Sequence, residues 1–98
     1  MANLRSVNIY NVTCTNANTE YSQELPPNTR SLAIQSRTAV DVRVAFVTGK
    51  VATPTAPYFT MKADGALALQ DLQLTDGAII YVGTATAGTV VEIVAGSW

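Results

Sequence analysis

Val40-Asp41-Val42-Arg43-Val44-Ala45-Phe46-Val47 is the stretch that decides the fold. Val40, Val42, Val44 and Phe46 fall on one face of an extended chain, and Asp41, Arg43 and Ala45 on the other. Side chains of a strand alternate between faces, so this period of two reads as a half-buried strand. Its β-branched residues suit the pleated surface. Just before it, Leu32 and Ile34 alternate with Ser31, Ala33 and Gln35, which predicts a second strand linked to the first through Arg37-Thr38-Ala39. Pro26-Pro27-Asn28 sets a turn ahead of that strand. Proline has no N–H for a ladder, so the extended run from Glu20 must stop at Leu25.

Outward from this centre the same period recurs with two breaks. Val7 and Ile9 share one parity, while Val12 and Cys14 share the other. The apolar phase flips at Tyr10-Asn11, which predicts a bulge there or a strand that leaves one sheet for another. Between Asp64-Gly65 and Asp76-Gly77, Leu67 and Leu69 have one parity and Leu72 and Leu74 the other. A helix would set Asp71 on the apolar stripe. Two short strands kinked at Gln70-Asp71 fit better, with a single helical turn as the lesser option. Val51 to Pro57 reads as an extended loop, and Tyr58 to Lys62 as a short strand. Ala78–Thr84 and Thr89–Ala95 are Val/Ile-rich runs separated by Ala85-Thr86-Ala87-Gly88, which predicts a hairpin with Gly88 at positive φ. Ile79-Ile80-Tyr81-Val82 is nearly continuous apolar, the mark of a central strand covered on both faces. About seven or eight short strands thus predict an all-β fold, a compact antiparallel β-sandwich or jelly-roll-like barrel.

The 98 residues suffice for one domain, 1–98, with 1–5 expected as a flexible N-terminal arm. By surface scaling, a chain of 10.4 kDa exposes roughly 5,400 Å² folded against roughly 15,000 Å² unfolded, enough burial for one thin two-layer core. Charged residues are 13 % of the chain, about half of the roughly 25 % usual in soluble domains. Thr, Ser, Asn and Gln fill the gap. Few charges mean little self-repulsion, and charge is depleted at the centres of interaction patches. The composition predicts a protein that works assembled, with copies of itself or on another surface.

The net charge is −1, and the basic residues Arg5, Arg30, Arg37, Arg43, Lys50 and Lys62 form no run. Nucleic-acid binding needs clustered cations to displace counterions from phosphates, so no nucleic-acid partner is expected. No apolar stretch nears the ~20 residues of a membrane-spanning helix, and no membrane partner is expected. Met1 to Arg5 lacks the basic-then-apolar pattern of a secretory leader, and the one cysteine, Cys14, has no internal partner. Synthesis and assembly in a cytoplasm are the expectation.

The chain has no histidine, which removes the commonest general base and metal ligand together. Lys50 and Lys62 sit in no recognisable catalytic motif. Asp64 and Asp76 each precede glycine, as turns require, and no Asp-x-Asp-x-Asp-Gly loop is present for calcium. Cys14 reads as a small buried hydrophobe on a strand. The expectation is a non-enzyme with no catalytic residue, no metal and no cofactor. Recognition candidates remain: Tyr58 and Phe59, adjacent and so pointing to opposite faces of a strand, Trp98, and Leu4 with Arg5 in the arm. Aromatics are enriched at interface hot spots, although each of these can instead cover an edge of its own small core.

The run from Met61 to Thr84, MKADGALALQDLQLTDGAIIYVGT, with TAGTVVEIV at 86–94 and NTEYSQELP at 18–26, resembles small virion proteins of tailed bacteriophages. The likeness extends over roughly residues 17 to 95. It implies a head decoration, or cement, protein: a β-sandwich on the outer capsid surface that clamps subunits where they meet. The implied partner is the phage major capsid protein, and the implied state a homo-oligomer, dimer or trimer, made in the host cytoplasm and located in the virion. The resemblance does not separate head from tail, so a tail or adaptor component stays open. So does a carbohydrate-binding, lectin-like module, since sandwiches display aromatic platforms well.

Overall fold

Alternating Val, Ile and Thr commit most of the chain to extended structure, and the extended segments pair with one another. In the computed structural model, which describes residues 6–74 and 76–97, the strands are β1 (Ser6–Cys14), β2 (Tyr21–Glu24), β3 (Thr29–Ser36), β4 (Val42–Ala45), β5 (Phe59–Met61), β6 (Ala66–Leu69), β7 (Ile79–Gly83) and β8 (Thr89–Ser97). They form two antiparallel four-stranded sheets, ordered β1-β8-β3-β6 and β2-β7-β4-β5. The first strand pairs with the last, the second with the seventh, the third with the sixth and the fourth with the fifth. That is the winding of a jelly roll, laid out as a two-sheet sandwich. The predicted all-β class holds.

The inner faces meet in one core. Val12, Cys14, Leu32, Ile34, Val91, Ile93 and Ala95 come from the β1-β8-β3-β6 sheet, and Val42, Val44, Met61, Ile80 and Val82 from the other. Burying each Val or Ile contributes about 1.5–3 kcal/mol, so this layer supplies the main stabilising term. Leu67, Leu69, Leu72 and Leu74 pack against it half-buried. Asp71, at φ 55°, reverses their parity between the first pair and the second. The predicted kink is there, but residues 72–74 form no second strand. Instead, the Leu72 N–H donates to the Arg30 carbonyl at 2.8 Å.

Three further expectations are corrected. β1 contains no bulge and changes no sheet: its pairing with β8 runs unbroken from Ser6↔Ser97 to Cys14↔Thr89. Its apolar phase flips because Val7 and Ile9 point away from the core. β7 and β8 are not a hairpin, since they lie in different sheets. The connection between them arches from one sheet to the other, with Thr84 Oγ1 donating to the Asp41 carbonyl and the Gly88 N–H to the Cys14 carbonyl. Gly88 does take a positive φ, 80°. The strand centred on Val42–Ala45 is shorter than its alternation, and Phe46 and Val47 lie beyond its end, exposed.

The two outer faces differ. On β4, Arg43 points outward, and its Nε donates to the Val51 carbonyl at 2.8 Å. Glu20 accepts from Thr48 Oγ1 and from the Gly49 N–H, both at 2.8 Å. These bonds fold the long β4–β5 connection back over the β2-β7-β4-β5 sheet, and Val51 is fully buried beneath it. The backbone of Val51 and Thr19 covers the outer side of β7 at Gly83, while Ile79 and Tyr81 on that side stay half-buried, so the full two-sided cover that the apolar run predicts is reached only at one end. Among the described residues, no comparable cover lies on the other sheet.

Candidate functional site

The uncovered face belongs to the β1-β8-β3-β6 sheet, and its residues follow from the register. One row across the strands reads Ile9, Val94, Ala33, Ala68; the rows beside it read Val7, Gly96, Ser31 and Asn11, Glu92, Gln35, Ala66. Ile9 is 68 % exposed and Val7 60 %. Because Ala33 and Ala68 are small, the sheet surface sinks between Ile9, Val94, Gln35 and Glu92 into an open hollow of about 380 Å³. From strand and residue spacings the apolar part measures on the order of 300 Å². That is the size of the largest apolar patch on a typical monomer, and such patches are often functional.

The face carries almost no net charge. Glu92 accepts from Gln35 Nε2 at 2.9 Å and from Arg37 Nε at 3.1 Å. The Gln35 hydrogen bond first, then that of Arg37, holds this carboxylate below its usual range. The one acidic group in these rows is therefore tied to its neighbours rather than presented to a ligand.

Leu67 on β6 borders this hollow and a second one of about 300 Å³ at the sandwich edge, where Phe46, Val47, Pro57, Tyr58 and Phe59 gather. Tyr58 and Phe59 were expected to point oppositely, with one outward. Both are exposed, Phe59 at 53 %, because β5 begins at Phe59. Leu4, Arg5 and Trp98 lie outside the described residues. The exposed Val7, Ile9, Val94, Phe46 and Val47 are the part that sequence reasoning missed. The parity break at Tyr10-Asn11 was the signal for Val7 and Ile9, since apolar residues on the wrong parity of an unbroken strand must face outward; Val94, Phe46 and Val47 had none.

Other candidate groups are dispersed. Lys62 pairs with Asp41 at 3.6 Å on the surface, and Asp41 also accepts the Ala63 N–H at 2.7 Å. Cys14 is fully buried, and burial pushes its thiol up. Among the described residues, no three acidic or thiol side chains gather where a metal ion could sit. The arrangement is a shallow apolar hollow on a two-sheet frame, its one carboxylate, Glu92, paired with Arg37. Comparisons with protein-family models, with curated proteins and with solved structures find no match for this chain.

Proposed function

We propose that this chain is a structural protein of a tailed-bacteriophage particle, a decoration or cement protein that binds the outer capsid surface and stabilises it at subunit junctions. The observation that carries the reading is the asymmetry of the sandwich. The β4–β5 connection folds over part of one outer face, while among the described residues nothing comparable covers the other, whose central row is apolar. A patch of about 300 Å² falls well short of the roughly 800 Å² per partner of a stable interface. One copy alone would hold weakly. Many copies on a repeating shell, themselves joined as homo-oligomers, multiply weak contacts into lasting attachment. The sequence likeness to virion proteins of tailed bacteriophages supports a phage particle as the setting, and on this reading the major capsid protein is the partner.

The test uses capsids that lack the protein. Purified chain added to them should bind in symmetry-related, stoichiometric copies and raise the temperature at which they disassemble. Binding to tails alone, or to no part of the particle, would reject the reading.

The aromatic cluster at the β5 edge favours a second reading, glycan binding. Phe46, Tyr58 and Phe59 stand exposed together around an open hollow, and sugars stack on such rings. Glycan-array binding lost in Tyr58→Ala would favour it over the first.

A further inference from the structure

Of the strands that end a sheet, three are blunted. β2 has four residues, ends at Glu24 and runs into Pro26 and Pro27. β5 has three residues and stops beside Lys62. β6 has four, between Asp64 and Asp71, both at positive φ. Shortness, charge, proline and kinks are the devices that keep a sheet edge from pairing with another chain. β1 has none of them. It is nine residues long, with no charged side chain, no proline, no glycine and no break in register.

Its open side can be assigned. The Cys14 carbonyl accepts the Gly88 N–H at 2.8 Å, so Cys14 turns its backbone toward β8, and by antiparallel alternation so do Val12, Tyr10 and Asn8. Val7, Ile9, Asn11 and Thr13 then hold their N–H and C=O groups outward. Among the described residues no strand pairs there.

We propose that β1 pairs with β1 of a second copy, antiparallel across a twofold axis normal to the sheet, joining the two β1-β8-β3-β6 sheets into one. An antiparallel strand is complementary to itself under that rotation, so a second copy satisfies the edge with no other surface required. No like charges meet, because the strand has none. The rotation keeps the uncovered faces on one side, so the rows through Val7 and Ile9 run on across both copies and the apolar patch doubles. This dimer forms from the chain alone and stands or falls apart from the capsid reading.

Sedimentation of the purified chain from about 1 µM to 1 mM should show a monomer–dimer equilibrium. Over that range the amides of Val7, Ile9, Asn11 and Thr13 should become at least tenfold better protected from hydrogen exchange as the dimer forms. Asn11→Pro removes an outward N–H and spares the β8 ladder, and should weaken dimerisation at least tenfold. Ile9→Lys, which leaves the backbone intact, should do the same and serves if the proline variant fails to fold. A monomer throughout, a dimer whose outward amides stay unprotected, or a folded variant that dimerises like the parent would overturn the proposal.

Discussion

Gly83 lies directly under Val51: a Cβ at position 83 would stand 2.8 Å from the Val51 carbonyl oxygen and 3.2 Å from that of Thr19. Both neighbours are backbone atoms, so neither can swing aside as a side chain would. Glycine at 83 thus lets the β4–β5 connection lie flat on its sheet.

Gly83→Ala should therefore cost about 2 kcal/mol, the range of overpacking in a tight interior. Thermal denaturation measures it, and an unchanged midpoint would mean that the connection lifts away freely.

Two isoleucines facing each other's strands should respond oppositely to truncation. Ile93 is fully buried, and Ile93→Ala should cost about 3–4 kcal/mol by transfer and cavity terms. Ile9 points outward, and Ile9→Ala should change monomer stability by less than about 0.5 kcal/mol. Urea unfolding at low concentration checks both. A large loss at Ile9 would mean that this face is covered.

The Cys14 thiol should resist labelling in the native state at neutral pH and react only on unfolding. Burial removes access and disfavours the thiolate. Rapid native labelling with a thiol reagent would contradict the packing.

Glu92 should titrate below an ordinary glutamate, because Gln35 and Arg37 donate to its ionised form. With the folded value lowered, its contribution is present above the unfolded value and fades as pH falls through the folded one. The carboxylate is near solvent, so the stability effect is small, and NMR titration is the better readout. Gln35→Ala should move the midpoint upward.

On capsids, Val94→Lys places a charge in the middle of the apolar row and should lower occupancy at least tenfold, while Tyr58→Ala should matter less. Equal occupancy for Val94→Lys and parent would exclude this face as the attachment surface.

Most of the fold was legible because parity is a local signal. Leu32 and Ile34, Val42 and Val44, and Ile80 with Val82 went inward as their spacing dictates. What was not legible is partnership between distant segments. The Ala85–Gly88 connection has hairpin length, and only the competing pairings of β7 with β4 and β8 with β3 send its flanks to different sheets. Val51 sits in a stretch of Thr, Pro and Ala with no period, so its burial depends on Arg43 reaching its carbonyl. The outward apolar face of β1 went unrecognised for a related reason. At Tyr10-Asn11 a phase flip has two causes, a bulge or an outward apolar pair, and the register with β8 decides between them. For Tyr58 and Phe59 the sequence led to one outward side chain rather than two, and not to their gathering with Phe46 and Val47.

The hydroxyls of Ser6 and Ser97 meet at 2.7 Å although 91 residues separate them. During synthesis, therefore, β1 emerges first and waits for nearly the whole chain before its permanent neighbour exists. Topologies so dominated by remote contacts fold slowly, on the order of milliseconds to seconds. Through that interval an uncharged nine-residue ribbon is on offer to every other nascent copy on the same message. Until β8 is complete, nothing in the chain itself competes for that ribbon's β8-facing edge.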